Sequence, residues 1–255
     1  MSRVWTTRRR KEDLVNDTTA GPLVERLPGP LPAAQIIALN QSKADLHSAR
    51  GYVWNGWEFD VPPGVFLPGA TSRMIHERVL DGRIEVRDRR YAAMGVGLGV
   101  EAVAAGVRGA REIHALDVHP ESVASTKRHY ERFVGDDRLI PLVSDVFEAV
   151  PDNVQFDVIT FNPPAVSQSV SADPDVVRNV CVGAPLLADF FAQIARRDLL
   201  APGGEVFVIA SNTADLRDLV SNGVRSGFVP EVAYRHDWHD GVLTYLFRLL
   251  RGEAT

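Results

Sequence analysis

From residue 66 onward, apolar runs of five or six residues alternate with stretches in which apolar residues recur at helical spacing. Alternation of this kind is typical of parallel βαβ units, and it predicts an α/β fold. The predicted strands are 91–95, 112–118, 138–143, 156–161, 204–210, 229–236 and 243–250. The predicted helices are 72–80, 100–106, 122–133, 185–199 and 214–222.

The residues before 66 follow a different pattern. Residues 1–32 are polar and contain prolines without helical or strand periodicity, which predicts a loosely packed arm. A short apolar face predicts a helix over 31–49. In GYVWNGWEFD (51–60), Asn55-Gly56 separates two aromatic-rich arms and predicts a tight β-hairpin.

These patterns divide the chain into two expected parts. We expect 1–65 to form an N-terminal arm, helix and β-hairpin that cap the substrate side. We expect 66–255 to form the catalytic core, because a chain of 255 residues with 45% hydrophobic residues can bury one substantial core and a short extension.

Composition and charge narrow the possible surroundings and partners. No apolar run approaches a membrane span and the first residues are charged, so we expect a cytoplasmic protein without a membrane anchor. The single cysteine, Cys181, excludes an internal disulfide and a thiolate metal cluster. A net charge of -5 makes nucleic acid an unlikely partner, with the basic run 8–11 as a local exception.

Three glycines follow the first predicted strand of the core. Gly95, Gly97 and Gly99 in MGVGLGVEAV precede a predicted helix, and their missing Cβ atoms allow a ligand to approach the backbone closely. The spacing does not match the dinucleotide-binding pattern, and a purely structural turn remains an alternative. We expect these glycines to contact a cofactor.

Two carboxylates end the next two predicted strands. Asp117 in IHALDVHPESV can accept hydrogen bonds from both hydroxyls of a ribose, and Asp145 in LVSDVFEAV can accept one from an exocyclic amine. Helix capping is the structural alternative for both residues. We expect Asp117, Asp145 and the residues that follow them, Val118 and Val146, to contact the cofactor.

The most specific motif is Asn162-Pro163-Pro164 in FDVITFNPPA, directly after a buried strand. Two prolines stiffen the loop and remove two donors, which leaves a row of carbonyl acceptors. The side-chain oxygen of Asn162 and the carbonyl oxygen of Pro163 can then hold an amino group by its two hydrogens. We expect these three residues to be catalytic, although a simple turn remains possible.

Together these motifs resemble those of Rossmann-like (class I) S-adenosylmethionine (SAM) dependent methyltransferases that carry an Asn-Pro-Pro-Tyr type motif, over residues 61–250. The resemblance implies a seven-stranded, mostly parallel sheet with helices on both faces and an antiparallel last strand. It implies SAM contacts for the glycine loop, Asp117, Asp145 and Asn162. The segment VPPGVFLPG (61–69) is similar to one in protein-glutamine methyltransferases of release factors. Substrate contacts are therefore expected at Phe66, Pro68, Thr71 and Ala165.

The sequence departs from that of the protein-glutamine methyltransferases at three points, and these departures bear on which substrate we expect. Ala93 replaces an acid that precedes the first glycine, Ala165 replaces an aromatic residue, and a helical N-terminal domain is lacking. We therefore expect transfer of a methyl group to an amide, guanidino or amino nitrogen of a small metabolite or amino-acid-derived molecule. The alternatives are a protein-glutamine or nucleic-acid amino N-methyltransferase, and a catalytically silent SAM-binding scaffold.

Other titratable residues are candidates for a general base or a metal site. A cationic substrate must lose a proton, and Glu58, Asp60, His76 and Glu77 are candidate bases, although each is more typical of a surface position. The segment YRHDWHDG (234–241) contains histidines and aspartates, but it lies between two predicted strands. We expect no metal there or elsewhere.

Overall fold

The computed structural model describes residues 22–40, 44–181 and 183–252. The predicted arm lies outside the described residues as far as residue 21, and this includes the basic run 8–11. Within the described ranges, no helix combines the length and the apolar character needed to cross a bilayer.

A seven-stranded sheet forms the centre of the described structure. Its strand order is β5-β4-β3-β6-β7-β9-β8, and only β9 runs antiparallel to its neighbours. The sheet and its antiparallel last strand agree with the sequence-based prediction. The strands are β1 (Arg50–Trp54), β2 (Trp57–Val61), β3 (Arg90–Met94), β4 (Glu112–Asp117), β5 (Leu139–Val143), β6 (Phe156–Phe161), β7 (Leu200–Ser211), β8 (Phe228–Asp237) and β9 (Leu243–Arg251).

Helices cover both faces of this sheet. The helices are α1 (Leu23–Arg26), α2 (Ala33–Leu39), α3 (Ala70–Asp81), α4 (Val100–Arg108), α5 (Pro120–Phe133), α6 (Pro174–Val180), α7 (Ala184–Arg196) and α8 (Leu216–Arg225), with a 3-10 helix at Ala44–His47. Helices α3, α4 and α5 pack on one face, and α7 and α8 pack on the other. The two apolar cores between helices and sheet explain why the central strands read as nearly continuous apolar runs.

Strands β1 and β2 form the predicted hairpin. Asn55 and Gly56 both have positive φ, 52° and 78°, as a two-residue turn of this kind requires. Phe59 is buried, with its ring centroid 5.1 Å from those of His129 and Phe133 on α5. The aromatic arms therefore hold the hairpin against the helical layer.

His129 also connects the hairpin to the glycine loop. The Asp60 backbone N–H donates to His129 Nε2 at 3.2 Å, and Nδ1 donates to the Leu98 carbonyl at 3.0 Å. This pair of contacts needs the neutral imidazole, and burial lowers the pKa of His129 accordingly. The neutral ring thus fixes the hairpin relative to the loop between β3 and α4.

Some helices differ from the sequence-based prediction. The single helix predicted over 31–49 is instead α2 and the 3-10 helix, and Asn40 ends α2 by donating from its side chain to the Ile36 carbonyl. Helices α1 and α6 were not predicted. The start of α6 nevertheless follows a recognisable signal, since Asp173 accepts a hydrogen bond from Asp175 N–H and Pro174 occupies the first helical position.

A carboxyl group is buried beneath the glycine loop, between α4 and the sheet. Thr160 donates to Glu101 Oε1 at 2.6 Å, and the Tyr91 hydroxyl lies 3.1 Å from the same oxygen. Thr160 is also the neighbour of Ala93 across the sheet. Burial raises the pKa of Glu101 to about 7.

The raised pKa predicts a pH-dependent contribution to stability. Between the ordinary glutamate pKa of 4.5 and about 7, the folded state binds more protons than the unfolded state, so the free energy of unfolding falls as pH rises. Glu101→Gln removes the titrating carboxyl and with it this pH dependence. Between about pH 5 and pH 8, the free energy of unfolding of the variant should rise relative to that of wild type by on the order of 2 kcal/mol, measured by urea unfolding.

Glu131→Gln is the matched control, because Glu131 is an exposed glutamate on α5. Its pH dependence should match that of wild type. Equal pH dependence of Glu101→Gln and wild type would contradict a proton held by Glu101 near neutrality.

Candidate active site

A cavity among the described residues lies at the carboxyl ends of the parallel strands β3 to β7. The chain runs outward from β3 to β4 and β5 on one side and to β6 and β7 on the other, so the strand order reverses between β3 and β6. Ligands of open α/β sheets bind in the crevice at this kind of position. The cavity has a volume of about 450 Å³, within the range of small-molecule and cofactor sites.

The cavity brings together most of the residues that the sequence predicted for the site. Of those predicted, only Gly99 and Pro68 lie outside its lining. The predicted residues that line it are Gly95, Gly97, Asp117, Val118, Asp145, Val146, Asn162, Pro163, Pro164, Phe66, Thr71 and Ala165.

The glycine loop needs glycine for two different reasons. Gly95, Gly97 and Gly99 all have positive φ, at 61°, 54° and 89°. A Cβ at Gly97 would meet no atom closer than 3.9 Å, so the backbone there faces open space in the cavity. A Cβ at Gly99 would lie 2.7 Å from the Thr126 backbone, so this glycine serves the close packing of the loop against α5. Gly99 is not among the residues that line the cavity.

Asp117 holds the glycine loop and borders the cavity. One carboxylate oxygen accepts from Gly97 N–H and the other from His119 N–H, both at 2.9 Å. Burial raises the pKa of Asp117, and the two backbone hydrogen bonds oppose that rise. Each oxygen keeps a lone pair for a further donor, which is the arrangement that two ribose hydroxyls require.

Asp145 and Val146 line the cavity after β5. Residues 145–150 form turns rather than a helix, so the structure does not support a helix cap at Asp145. Val146 is buried and has a φ of 47°, a strained conformation for a β-branched residue. Strained residues of this kind are concentrated at ligand sites, where surrounding packing maintains them.

Asn162 follows β6 and is held by a residue of α3. Its side-chain Nδ2 donates to Ser72 Oγ at 3.0 Å. The carbonyl of Pro163 accepts from Ala165 N–H at 2.8 Å, which leaves one lone pair, and the carbonyl of Pro164 accepts from Gly183 N–H at 3.1 Å. Both carbonyls therefore keep one lone pair, and the two acceptors that the sequence predicted, Asn162 Oδ1 and the Pro163 carbonyl, belong to residues that line the cavity.

Aromatic side chains line the cavity at positions other than 165. Ala165 is buried and forms an isolated bridge with Cys181, whereas Phe66 and Phe161 line the cavity. The ring of Phe161 would also lie 3.2 Å from a Cβ at Gly95. Aromatic residues therefore border the cavity although position 165 carries no ring.

Sequence reasoning missed several lining residues. Arg178 and Asn179 belong to the unpredicted helix α6, and both donate to the Gly64 carbonyl, at 3.0 and 3.2 Å. They join α6 to the segment that precedes the core. The Asp173-Pro174 helix start was the available signal for this element. The remaining missed residues are Asn40, Gly69, Ser72, Met94, Ser144, Phe161, Val166, Val180, Leu186, Ile209, Ala210, Ser211, Thr213 and Ala214.

The candidate general bases lie away from the cavity. Glu58, Asp60 and Glu77 are exposed and are not among the lining residues. His76 is buried rather than on the surface, its Nδ1 has no partner among the described residues, and burial lowers its pKa to about 3. The titratable side chains in the described lining are Asp117, Asp145 and Arg178.

A cluster of residue types that can ligate a metal lies outside the segment 234–241, at the surface beside the start of α6. His47, Asp173 and Asp175 bring ligand-type atoms within 4.8 Å of one another at the surface. The His47–Asp173 ion pair, 2.6 Å long, joins the 3-10 helix to the start of α6. This cluster therefore has a structural explanation in the contact between two elements.

The cavity residues fit SAM. Gly97 offers open backbone, Asp117 has an unused lone pair on each oxygen, and Asp145 lies at the end of the neighbouring strand. A nucleoside cofactor needs a glycine backbone that it can approach closely, acceptors for its ribose hydroxyls and an acceptor for its adenine amine. Gly97, Asp117 and Asp145 suit these three requirements, in that order along the sheet edge. When bound, SAM supplies a methyl group on a positively charged sulfur.

Comparison with known proteins identifies related sequences. The family described as methyltransferase small domain matches residues 63–230. A protein of Methanocaldococcus jannaschii, provisionally named as a protein N5-glutamine methyltransferase, is 25% identical over 185 residues, which cover 71% of this chain and 89% of that protein. The release factor glutamine methyltransferase of Aquifex aeolicus is 29% identical over 126 residues. That match covers 46% of this chain and 44% of the relative, so the chain spans less than half of its length.

A solved structure has the same fold. The 16S rRNA N2 G1207 methyltransferase of Thermus thermophilus, determined with AdoMet and guanosine, superposes with a TM-score of 0.58 at 21% identity, over 80% of this chain and 50% of that one. This similarity confirms the predicted Rossmann-like methyltransferase fold.

The comparisons also correct the expected substrate. The expectation of a small-molecule substrate in preference to a protein is wrong, because the relatives are named for methylation of glutamine in proteins. The expectation relied on the missing helical N-terminal domain, the net charge and Ala165, and none of these features excludes a protein substrate. The expected SAM-dependent N-methyltransferase is confirmed. The chain belongs to the methyltransferase small domain family.

Proposed function

We propose that this enzyme transfers the methyl group of SAM to the side-chain amide nitrogen of a glutamine in a protein. The observation that carries the proposal is the pair of neutral acceptors, Asn162 Oδ1 and the Pro163 carbonyl, at the end of β6. Two acceptors with fixed positions match the two hydrogens of a primary amide.

The titratable groups of the cavity favour a neutral substrate. Asp117 and Asp145 follow β4 and β5, at the expected cofactor end, and Arg178 is paired with Asp175 at 2.6 Å. An ammonium or guanidinium group would need a base to remove a proton before attack, whereas an amide would not. An amide nitrogen is therefore preferred over a cationic one.

The rate of the reaction then depends mainly on how the amide nitrogen is positioned relative to the methyl group. The amide nitrogen lone pair forms a bond to the methyl carbon while the bond between that carbon and sulfur breaks, and the bonding pair stays on sulfur. The nitrogen carries the positive charge until one of its two hydrogens leaves as a proton to water. Asn162 and Pro163 keep the nitrogen directed at the methyl group throughout this step.

The names of the relatives support glutamine as the target residue. Both are named for glutamine methylation, and one is named for release factors. Phe66 and Phe161 provide apolar surface for a planar side-chain amide. Release factors are therefore the first proteins to test.

We further propose that the segment up to residue 65 acts as a cap on the substrate side. Arg178 and Asn179, which line the cavity, donate to the Gly64 carbonyl, and Phe66 lines the cavity directly after this segment. The hairpin aromatics pack on α3 and α5 instead of entering the cavity, with Trp54 5.5 Å from His76. The hairpin thus supports the cap from outside.

The proposed activity is tested with purified enzyme, labelled SAM and recombinant release factors from the same organism. Tandem mass spectrometry should locate one added CH₂ on a glutamine. Label on arginine, lysine or nucleic acid instead of glutamine would contradict the proposal.

Asp117→Ala should abolish detectable SAM binding. The variant loses both the expected ribose acceptor and the hydrogen bonds that hold Gly97 and His119. Removing a charged acceptor from such a network costs about 2–3 kcal/mol or more, which is a 30-fold or greater loss of affinity. Calorimetric titration measures the change, and Asp152→Ala, at an exposed carboxylate outside the cavity, is the control.

Asn162→Ala should retain most SAM affinity and lose turnover. The change removes one of the two acceptors that orient the nitrogen, which should lower kcat by about 100-fold or more. Single-turnover methylation and calorimetry on the same preparation separate the two effects. Retained turnover would show that Asn162 does not hold the nitrogen.

A further inference from the structure

Ser72 is the described residue outside the Asn-Pro-Pro motif that contacts the Asn162 amide. It lies in the first turn of α3, 90 positions earlier in the chain, and its hydroxyl accepts from Asn162 Nδ2 at 3.0 Å. Ser72 is 5% exposed and lines the cavity. The contact is therefore a shielded hydrogen bond at the site of the proposed reaction.

This hydrogen bond anchors the nitrogen end of the Asn162 amide and leaves its oxygen end for the substrate. An asparagine amide has a donor end and an acceptor end of nearly the same shape, so packing alone discriminates poorly between its two orientations. Because Nδ2 is bonded to Ser72, Oδ1 is the atom left for the substrate. With the opposite orientation, the Asn162 NH₂ would face the N–H of the substrate, and two donors would oppose each other.

The surroundings of Ser72 keep its oxygen in place. Helix α3 begins after Gly69, and its buried residues Ile75 and Val79 pack in the core beneath the hairpin and α4. The Ser72 oxygen thus belongs to a rigid helix, whereas Asn162 lies in the loop after β6. A helical residue thus holds the side chain of a loop residue.

We propose that Ser72 is a positioning residue that holds the Asn162 amide with its oxygen towards the substrate nitrogen. This inference rests on the proposed function, in which that oxygen accepts a hydrogen from a glutamine amide. It adds a requirement, namely that the accepted nitrogen carries hydrogen before reaction. Nitrogens that offer only a lone pair are rejected, because they present no donor to Oδ1.

Ser72→Ala tests the proposal in the methylation assay. Without a hydroxyl at position 72 the Asn162 amide loses its anchor, so kcat should fall about tenfold, the effect of one lost hydrogen bond, while SAM affinity stays within about twofold. Ser72→Thr keeps the hydroxyl and should restore most of the turnover. Ser125→Ala removes another buried helical serine, on α5 outside the cavity, and should leave kcat unchanged.

A second readout does not depend on the identity of the substrate. The Asn162 side-chain NH₂ signals in a ¹⁵N-¹H correlation spectrum are assigned by their loss in Asn162→Asp. They should shift, and exchange with water faster, in Ser72→Ala but not in Ser125→Ala. If release factors are not methylated, the proposed function is contradicted. The Asn162 signals in this spectrum then still test whether Ser72 holds the Asn162 amide. Unchanged Asn162 signals, or unchanged kcat in Ser72→Ala, would overturn it.

Discussion

The hydrogen bond between Gly97 N–H and the Asp117 carboxylate is the contact on which the active site depends. It joins the loop after β3 to the end of β4, the two neighbouring strands beside the point where the strand order reverses. The same carboxylate accepts from His119 N–H, so the start of α5 is fixed as well. One partly buried carboxylate thereby sets the relative position of three segments, and each of its oxygens keeps a lone pair at the edge of the cavity. This structural role is sufficient to explain why an acid is needed at this strand end.

The other loops of the site are each held by a residue from a distant part of the chain. His129 contacts both the hairpin and the Leu98 carbonyl, Ser72 contacts Asn162, and Arg178 contacts the Gly64 carbonyl. A parallel sheet provides its catalytic residues on loops, and loops are the least rigid parts of a domain. Contacts from helices and from the hairpin therefore supply the precision that the loops lack. Through these contacts, the segment before the core is joined to elements that border the cavity.

The sequence alone was enough to predict the sheet and the residues at its carboxyl edge, because both follow from the local pattern of apolar and polar residues. Buried parallel strands read as apolar runs, and their ends carry Gly95, Asp117, Asp145 and Asn162. It was not sufficient for contacts between distant residues. The Ser72–Asn162 pair is separated by 90 positions, and Gly99 differs from Gly97 only by its packing against Thr126. Helix α6 was missed because its seven residues are too few for a clear periodic pattern.

The error about the substrate came from treating departures from the resembled subgroup as evidence about the molecule that is methylated. The missing helical N-terminal domain, together with the acidic net charge and Ala165, indicated a small molecule, whereas the relatives are named for methylation of glutamine in proteins. A departure at one position leaves the other residues of the cavity free to compensate for it. The Asn-Pro-Pro motif bears on the atom that is methylated, because its acceptors can pair with hydrogens on nitrogen, and the same pairing is open to any molecule that carries such an atom.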